Sequence, residues 1–209
     1  MKQILKTDWE RYYTNPIPTC CWSRKVIRRH LLNMLRKANL GPDSSVAELG
    51  GGGSCFCHAV QARFGIRNYT VYDSCPAGIA SFLRKHPENK AVQSDLLQLE
   101  GKPEYDLVFS VGLIEHFAKG ETETVTRQHF ELAKPGGTVI LFFPTPTLLY
   151  RMTRSIAECC GLWQFPDERP LLPAEVKAAA APFGSCLEGH TVYANFLTQY
   201  AIIYRKAEQ

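Results

Sequence analysis

Residues 45–54 read Ser-Val-Ala-Glu-Leu-Gly-Gly-Gly-Gly-Ser: a short apolar strand carrying an acid, four consecutive glycines, and then the start of a helical pattern. Glycine turns the backbone sharply and lets a ligand come against main-chain amides that a side chain would shield. Open α/β sheets bind ligands at the C-terminal ends of their strands, where the strand order reverses, so a glycine turn after a first strand predicts a ligand site. The rest of the chain keeps the alternation this requires. Strands are expected at 45–49, 69–72, 91–93, 105–110, 138–143, 186–193 and 197–204. Helices are expected at 23–39, capped by Ser23 and stopped by Gly41-Pro42, and at 54–64, 76–86, 121–133, 148–160 and 174–181. The fold class is therefore α/β, a doubly wound, seven-stranded, mostly parallel sheet. No helix separates 186–193 from 197–204, so the last strand is expected to pair antiparallel.

The ligand follows from what surrounds the turn. A dinucleotide fingerprint, G-x-G-x-x-G, needs a third glycine at position 55 or 56, and Cys55 and Phe56 stand there. Glu48, two residues before the first glycine, would repel a pyrophosphate and attract a ligand with positive charge. S-adenosylmethionine carries an ammonium and a sulfonium and no phosphate.

VAELGGGGS resembles the E/D-x-G-x-G-x-G signature of class I S-adenosylmethionine-dependent methyltransferases, with Ser54 in place of the third glycine. Further landmarks follow in the family's order. Asp73, closing YTVYD, matches the acid that binds the ribose hydroxyls, and Asp95 in QSDLL the acid that contacts the adenine amino group. YDLVFSVGLIEHF (105–117) and KPGGTVILFFP (134–144) are similar to the fourth- and fifth-strand motifs. The resemblance spans roughly residues 44–144. It implies a Rossmann-like methyltransferase fold with S-adenosylmethionine as cofactor, bound by Glu48, Gly50, Gly51, Gly52, Asp73, Ser74, Asp95, Leu96, Ser110 and Tyr13. The WERYY run (9–13) resembles N-terminal helices that fold over the cofactor in many members, which places Tyr12 and Tyr13 there. Ordinary strand-end caps and core aromatics are the plainer reading of these residues.

Methyl transfer is an in-line displacement on an already activated carbon, so alignment supplies most of the rate and a base is needed only where the acceptor must lose a proton. His116, in the loop after the fourth strand, is the candidate catalytic base, with an ordinary pKa suited to neutral pH; a structural histidine is the alternative. Glu115-His116 is also similar to part of an E-x-x-E-H run that binds a divalent metal in a subset of the family. Gly112 stands at the first acid position, so no metal is expected. Tyr150 and Arg151 after the fifth strand, and the 161–173 loop with Trp163 and Phe165, are candidates for the acceptor side, the loop as a lid.

Composition narrows the classes. With 45% hydrophobic and 21% charged residues in 209, the chain can bury a full core and is not disordered. It has no long apolar run and no signal-like start, so a cytoplasmic location without membrane insertion is expected. One domain is the simplest parse: 1–43 an N-terminal helical cap, 44–144 the cofactor-binding core, 145–209 an acceptor-side part. The eight cysteines include no C-x-x-C pair and read as reduced thiols used as small apolar residues. The first 40 residues hold nine Lys and Arg against two acids, while the rest of the chain is net acidic. This basic segment motivates an RNA or protein methyltransferase as the alternative to a small-molecule O- or N-methyltransferase. The lack of an appended binding domain or of aromatics interleaved with the basic run makes nucleic acid the less favoured partner. A non-catalytic module binding a nucleotide-like ligand is the third reading, disfavoured by the acids at 48, 73 and 95. Oligomeric state is not legible.

Overall fold

The computed structural model describes residues 6–15 and 20–208; Lys2 of the basic segment and the side chains of Cys20 and Cys21 lie outside them. Helix α1 (Trp9–Thr14) and helix α2 (Cys20–Met34), continued by a 3-10 turn at Leu35–Lys37, precede the alternating part. This runs β1 (Ser45–Leu49), α3 (Cys57–Phe64), β2 (Asn68–Asp73), α4 (Pro76–Lys85), β3 (Lys90–Gln93), β4 (Tyr105–Val111), a 3-10 turn at Ile114–His116, α5 (Lys119–Leu132), β5 (Ala133–Pro144), α6 (Leu148–Cys159), α7 (Pro173–Ala180), β6 (Gly184–Ala194) and β7 (Leu197–Lys206).

The strands form one sheet in the order β3-β2-β1-β4-β5-β7-β6. The first five are parallel, and β7 runs antiparallel between β5 and β6. The order reverses between β1 and β4, which puts the turn after β1 at the switch point. Alternation within each strand decides which face a residue serves. Val46, Val71, Leu107, Phe109, Ile140 and Phe142 pack on one side with Leu31, Met34, Val60 and Phe82 from α2, α3 and α4. Ala47, Leu49, Val108, Val139, Leu141 and Phe143 pack on the other with Val125, Phe130, Val176 and Ala180 from α5 and α7. Covered on both faces, β5 can be apolar throughout its VILFF run.

Several expectations are corrected. The α2 apolar stripe (Ile27, Leu31, Met34, Leu35, Ala38) is buried as its spacing implies, but the helix already runs at Cys20, so Ser23 sits inside it. It ends before Gly41, where Asn39 takes a left-handed φ of 47°. Helix α3 begins at Cys57 rather than Ser54, because the Ser54 hydroxyl accepts the Phe56 and Cys57 amides (both 3.1 Å) and so turns the chain first. Cys57 and Cys75 are buried, whereas Cys159, Cys160 and Cys186 are exposed rather than serving as core residues. Among the described residues no helix is long and apolar enough to cross a membrane.

Phe109 shows how the core holds the switch point. It is fully buried in β4 and meets the rings of Phe56 and Tyr69 edge-on at 6.3 and 6.4 Å. Phe109→Ala should cost about 3–5 kcal/mol of stability, read in urea denaturation as a lower midpoint with an unchanged slope.

Candidate functional site

The glycine turn is tied to the end of the neighbouring strand. Gly50, at φ +66°, donates its amide to the Tyr72 carbonyl (2.7 Å). The Gly52 amide donates to Asp73 Oδ2 at 2.8 Å. A Cβ on Gly52 would stand 2.6 Å from that oxygen and 2.8 Å from Gly78 Cα, so the contact requires glycine. Asp73 Oδ1 accepts the Cys75 amide at 2.8 Å. From α1, the Tyr13 hydroxyl donates to Asp73 Oδ2 at 2.8 Å, and its ring lies against Gly78 and Gly53. Burial and the adjacent carboxylate push the Tyr13 pKa far up, so the phenol stays a donor.

Glu48 is buried at the end of β1 and accepts the Tyr69 hydroxyl at 2.5 Å. Burial raises its pKa to about 7; hydrogen bonds from Ser54 and Tyr69 oppose the rise and the charge of Asp73 adds to it. Glu48, Gly50, Gly51, Gly52, Asp73 and Tyr13 therefore meet at the switch point as two carboxyls with no basic side chain among them. That set suits a ligand bearing positive charge and hydroxyls and is unsuited to a pyrophosphate. Leu113, unremarked in the sequence, covers Gly50: its Cδ1 lies 2.7 Å from where a Cβ would stand.

The other sequence candidates have partners of their own. Asp95 and Ser74 are exposed, and Asp95 Oδ1 is engaged by the Leu97 amide (2.9 Å) in a local turn. The Ser94 amide, bonded to the Asp73 carbonyl at 3.0 Å, holds that turn beside the end of β2. Leu96 packs into the core beneath. Ser110 is fully buried under α5, with its Oγ 2.8 Å from His129 Nε2. His129 Nδ1 lies 2.7 Å from the Val125 carbonyl and must donate to it, so Nε2 accepts the Ser110 proton. Burial lowers the His129 pKa to about 4, which keeps the ring neutral.

A second cluster forms around His116. Its Nδ1 is 3.0 Å from Asp167 Oδ1, and its Nε2 is 3.9 Å from Glu115 Oε1. Asp167 also accepts the Thr7 amide (3.1 Å) and hydroxyl, which clasps the N-terminal segment to the 161–173 loop. Glu168 accepts the Tyr150 hydroxyl, and Arg154 binds the Glu168 carbonyl at 2.7 Å. Arg151, favoured by the sequence, is exposed; Arg154, one turn further along α6, faces the loop instead. Burial opposes charge on His116, but the Asp167 hydrogen bond and the nearby Glu115 and Glu168 outweigh it and raise its pKa. Burial raises both glutamate carboxyls; the His116 charge chiefly opposes the rise at Glu115, and the Tyr150 hydroxyl, followed by His116 and Arg154, opposes it at Glu168. Aromatic rings close the cluster: Trp9 stands edge-on to His116 at 4.8 Å, Phe165 lies 5.7 Å away, and Tyr12 meets Phe165 at 5.5 Å. Sequence reading marked His116, Tyr150 and the loop. It missed Asp167, Glu168, Thr7 and Trp9, whose roles depend on contacts between segments distant in the chain.

Residues 47–139 match a family model described as a methyltransferase domain. No curated protein sequence matches the chain. Among solved structures, the chain is similar to magnesium protoporphyrin IX methyltransferase (ChlM) from Synechocystis PCC 6803 with bound SAH, at 18% identity over 88% of this chain and 84% of that one, TM-score 0.73. It is similar to the N-methyltransferase NodS from Bradyrhizobium japonicum WM9 in complex with S-adenosyl-L-homocysteine, at 13% identity over 94% and 92%, TM-score 0.69. It is also similar to a structure of the Haloferax volcanii Trm112 methyltransferase activator in complex with a putative methyltransferase, at 12% identity over 97% and 99%, TM-score 0.72.

Glu48 makes stability depend on pH. Its carboxyl rises from 4.5 to about 7 on folding, so between those values the folded chain holds the proton and the unfolded chain does not. The contribution is present below the lower value and lost as pH rises through the upper one. Glu48→Gln should thus be more stable than the wild type at about pH 8, on the order of 3 kcal/mol, and nearly equal at about pH 4. Denaturation curves at the two pH values test this.

Proposed function

We propose that this chain, whose residues 47–139 match a methyltransferase domain model, is a class I S-adenosylmethionine-dependent methyltransferase whose acceptor is the oxygen or nitrogen of a small molecule. The observation that carries this reading is the covered His116 cluster. His116, its side chain 8% exposed, sits under Trp9 and Phe165, and the Thr7–Asp167 clasp joins the two covers. A cover built from the N-terminal segment and the 161–173 loop can open for a small molecule. Small molecules stand in the names of similar proteins, magnesium protoporphyrin IX among them.

In this reading the chain's residues divide the work. Asp73, already accepting three donors, holds the ribose diol after exchanging the Tyr13 hydroxyl for it. Glu48 sits on the side of the cofactor's positive charge, and the Gly50–Gly52 turn lets the cofactor lie against main chain. S-adenosylmethionine supplies an activated methyl carbon. With the cofactor bound, an acceptor lone pair would take the methyl carbon and the carbon–sulfur electron pair would stay on sulfur. A hydroxyl acceptor must also lose its proton, and the His116 cluster is the group placed to manage that charge. The proposed parts of the chain follow: 1–43 as cap, 44–144 as cofactor core, and from 145–209 the stretch 145–173 facing the acceptor while β6 and β7 complete the sheet.

One observation favours the alternative of an RNA or protein acceptor. Lys25, Arg28, Arg29, Arg36 and Arg63 line a surface hollow of about 270 Å³ on α2 and α3. Salt-dependent affinity for RNA, lost when Arg28 and Arg29 become Ala, would support it.

The test begins with acceptor screening and then separates the two clusters kinetically. His116→Ala should lower turnover by ~10²–10⁴ with cofactor affinity little changed. Asp73→Ala should do the reverse, weakening cofactor binding at least ~10-fold. A His116→Ala chain with both kinetic parameters near wild type removes His116 from the acceptor side.

A further inference from the structure

We propose that Glu115, His116 and Glu168 form a binding site for one divalent transition cation, Mn²⁺ or Zn²⁺. The proposal rests on the reading of this cluster as the acceptor side, and it departs from the expectation of no metal. Position 112 cannot supply an acid, but the third ligand comes from elsewhere: Glu168, in the loop between α6 and α7, brings its carboxylate to the Glu115–His116 pair.

One ligand atom from each of the three lies within 4.8 Å of the others. Bonds of about 2.0–2.2 Å to a shared ion put ligand atoms roughly 3–4 Å apart, a spacing small side-chain rotations reach. The side chains are nearly closed to water, at 2%, 8% and 9% exposure. Glu115 Oε2 is buried without a hydrogen-bond partner, an arrangement that costs free energy unless something occupies it. The imidazole is also oriented for ligation. With Nδ1–H given to Asp167 at 3.0 Å, Nε2 turns its lone pair toward the glutamates, and Asp167 is itself fixed by Thr7. A carboxylate behind a histidine in this way sets the tautomer and orientation of a metal-binding ring. Two buried carboxylates side by side repel each other. Arg154 reaches Glu168 at 3.7 Å, and no cation is recorded against Glu115 beyond the imidazole itself among the described residues. One nitrogen and two oxygens suit a borderline first-row ion better than Mg²⁺, which prefers oxygen and retains its waters. Three protein ligands leave coordination positions open, as catalytic sites do, so a hydroxyl, carboxylate or enol-like oxygen of the acceptor is the chemistry such an ion would take and polarise.

The test uses the full chain, stripped with chelator and titrated with MnCl₂ or ZnCl₂ in a calorimeter, with neither cofactor nor acceptor present. One equivalent should bind. Glu115→Gln and Glu168→Gln should each weaken binding at least ~10-fold, and Asp167→Asn, whose side chain holds the histidine and Thr7 rather than the ion, by ~10–100-fold. Glu123→Gln, an exposed acid on α5, should change nothing. Should a variant fail to fold, spin-echo spectroscopy of Mn²⁺ on the unmodified chain should show coupling to a single imidazole nitrogen. No saturable binding at millimolar metal, binding unaffected by the glutamate variants, or Mn²⁺ without nitrogen coupling overturns the site. Because no methyl transfer is read, failure here leaves the small-molecule reading standing, and failure of that reading leaves the metal titration valid.

Discussion

One hydrogen bond, from the Gly52 main-chain amide to the Asp73 carboxylate, joins the turn after β1 to the end of β2 at the place where the sheet reverses its order. The bond exists because the turn passes so close to Asp73 that no Cβ fits between them. Around it the other parts of the proposed cofactor side fall into place. The Cys75 amide takes the second oxygen, α4 starts beside it, and α1 docks by handing the Tyr13 hydroxyl to the same carboxylate. Burial of Glu48 on the adjoining strand completes a pair of acids whose ionisation a cationic ligand would favour.

Much of this was legible in the chain because it is local. Strand alternation, the run of glycines and the acid before it are written within ten residues, and period-2 patterning assigns each strand residue to its face without further information. The β5 segment reads as buried on both sides for the same reason. Helix boundaries were less legible. The helical pattern starts at Ser54, yet its hydroxyl takes two amides and delays the helix to Cys57, a choice made by the geometry of the glycine turn rather than by propensity. Ser110 carries the right residue type at the right strand, but its side chain faces His129 across the sheet from the ligand side.

The acceptor side was half legible. His116 follows a recognisable strand motif, but what makes it more than a loop histidine is Asp167, 51 residues away, and Thr7, 160 residues from Asp167. No periodicity encodes such a pair. Both partners sit in segments whose sequence reads as loop, and their significance comes from tertiary closure of α1 and the 161–173 loop over the same ring. The N-terminal segment and the 161–173 loop thus meet over His116, while the middle of the chain builds the proposed cofactor side.

These two halves predict a division of labour in which cofactor affinity belongs to Asp73 and Glu48 and is independent of the His116 cluster. Calorimetric titration of the purified chain with S-adenosylhomocysteine and, separately, with NAD⁺ tests the central claim most directly. The account predicts saturable one-to-one binding of S-adenosylhomocysteine, weakened in Asp73→Ala, and no heat from NAD⁺. Tight NAD⁺ binding, or S-adenosylhomocysteine binding that Asp73→Ala leaves unchanged, would contradict it.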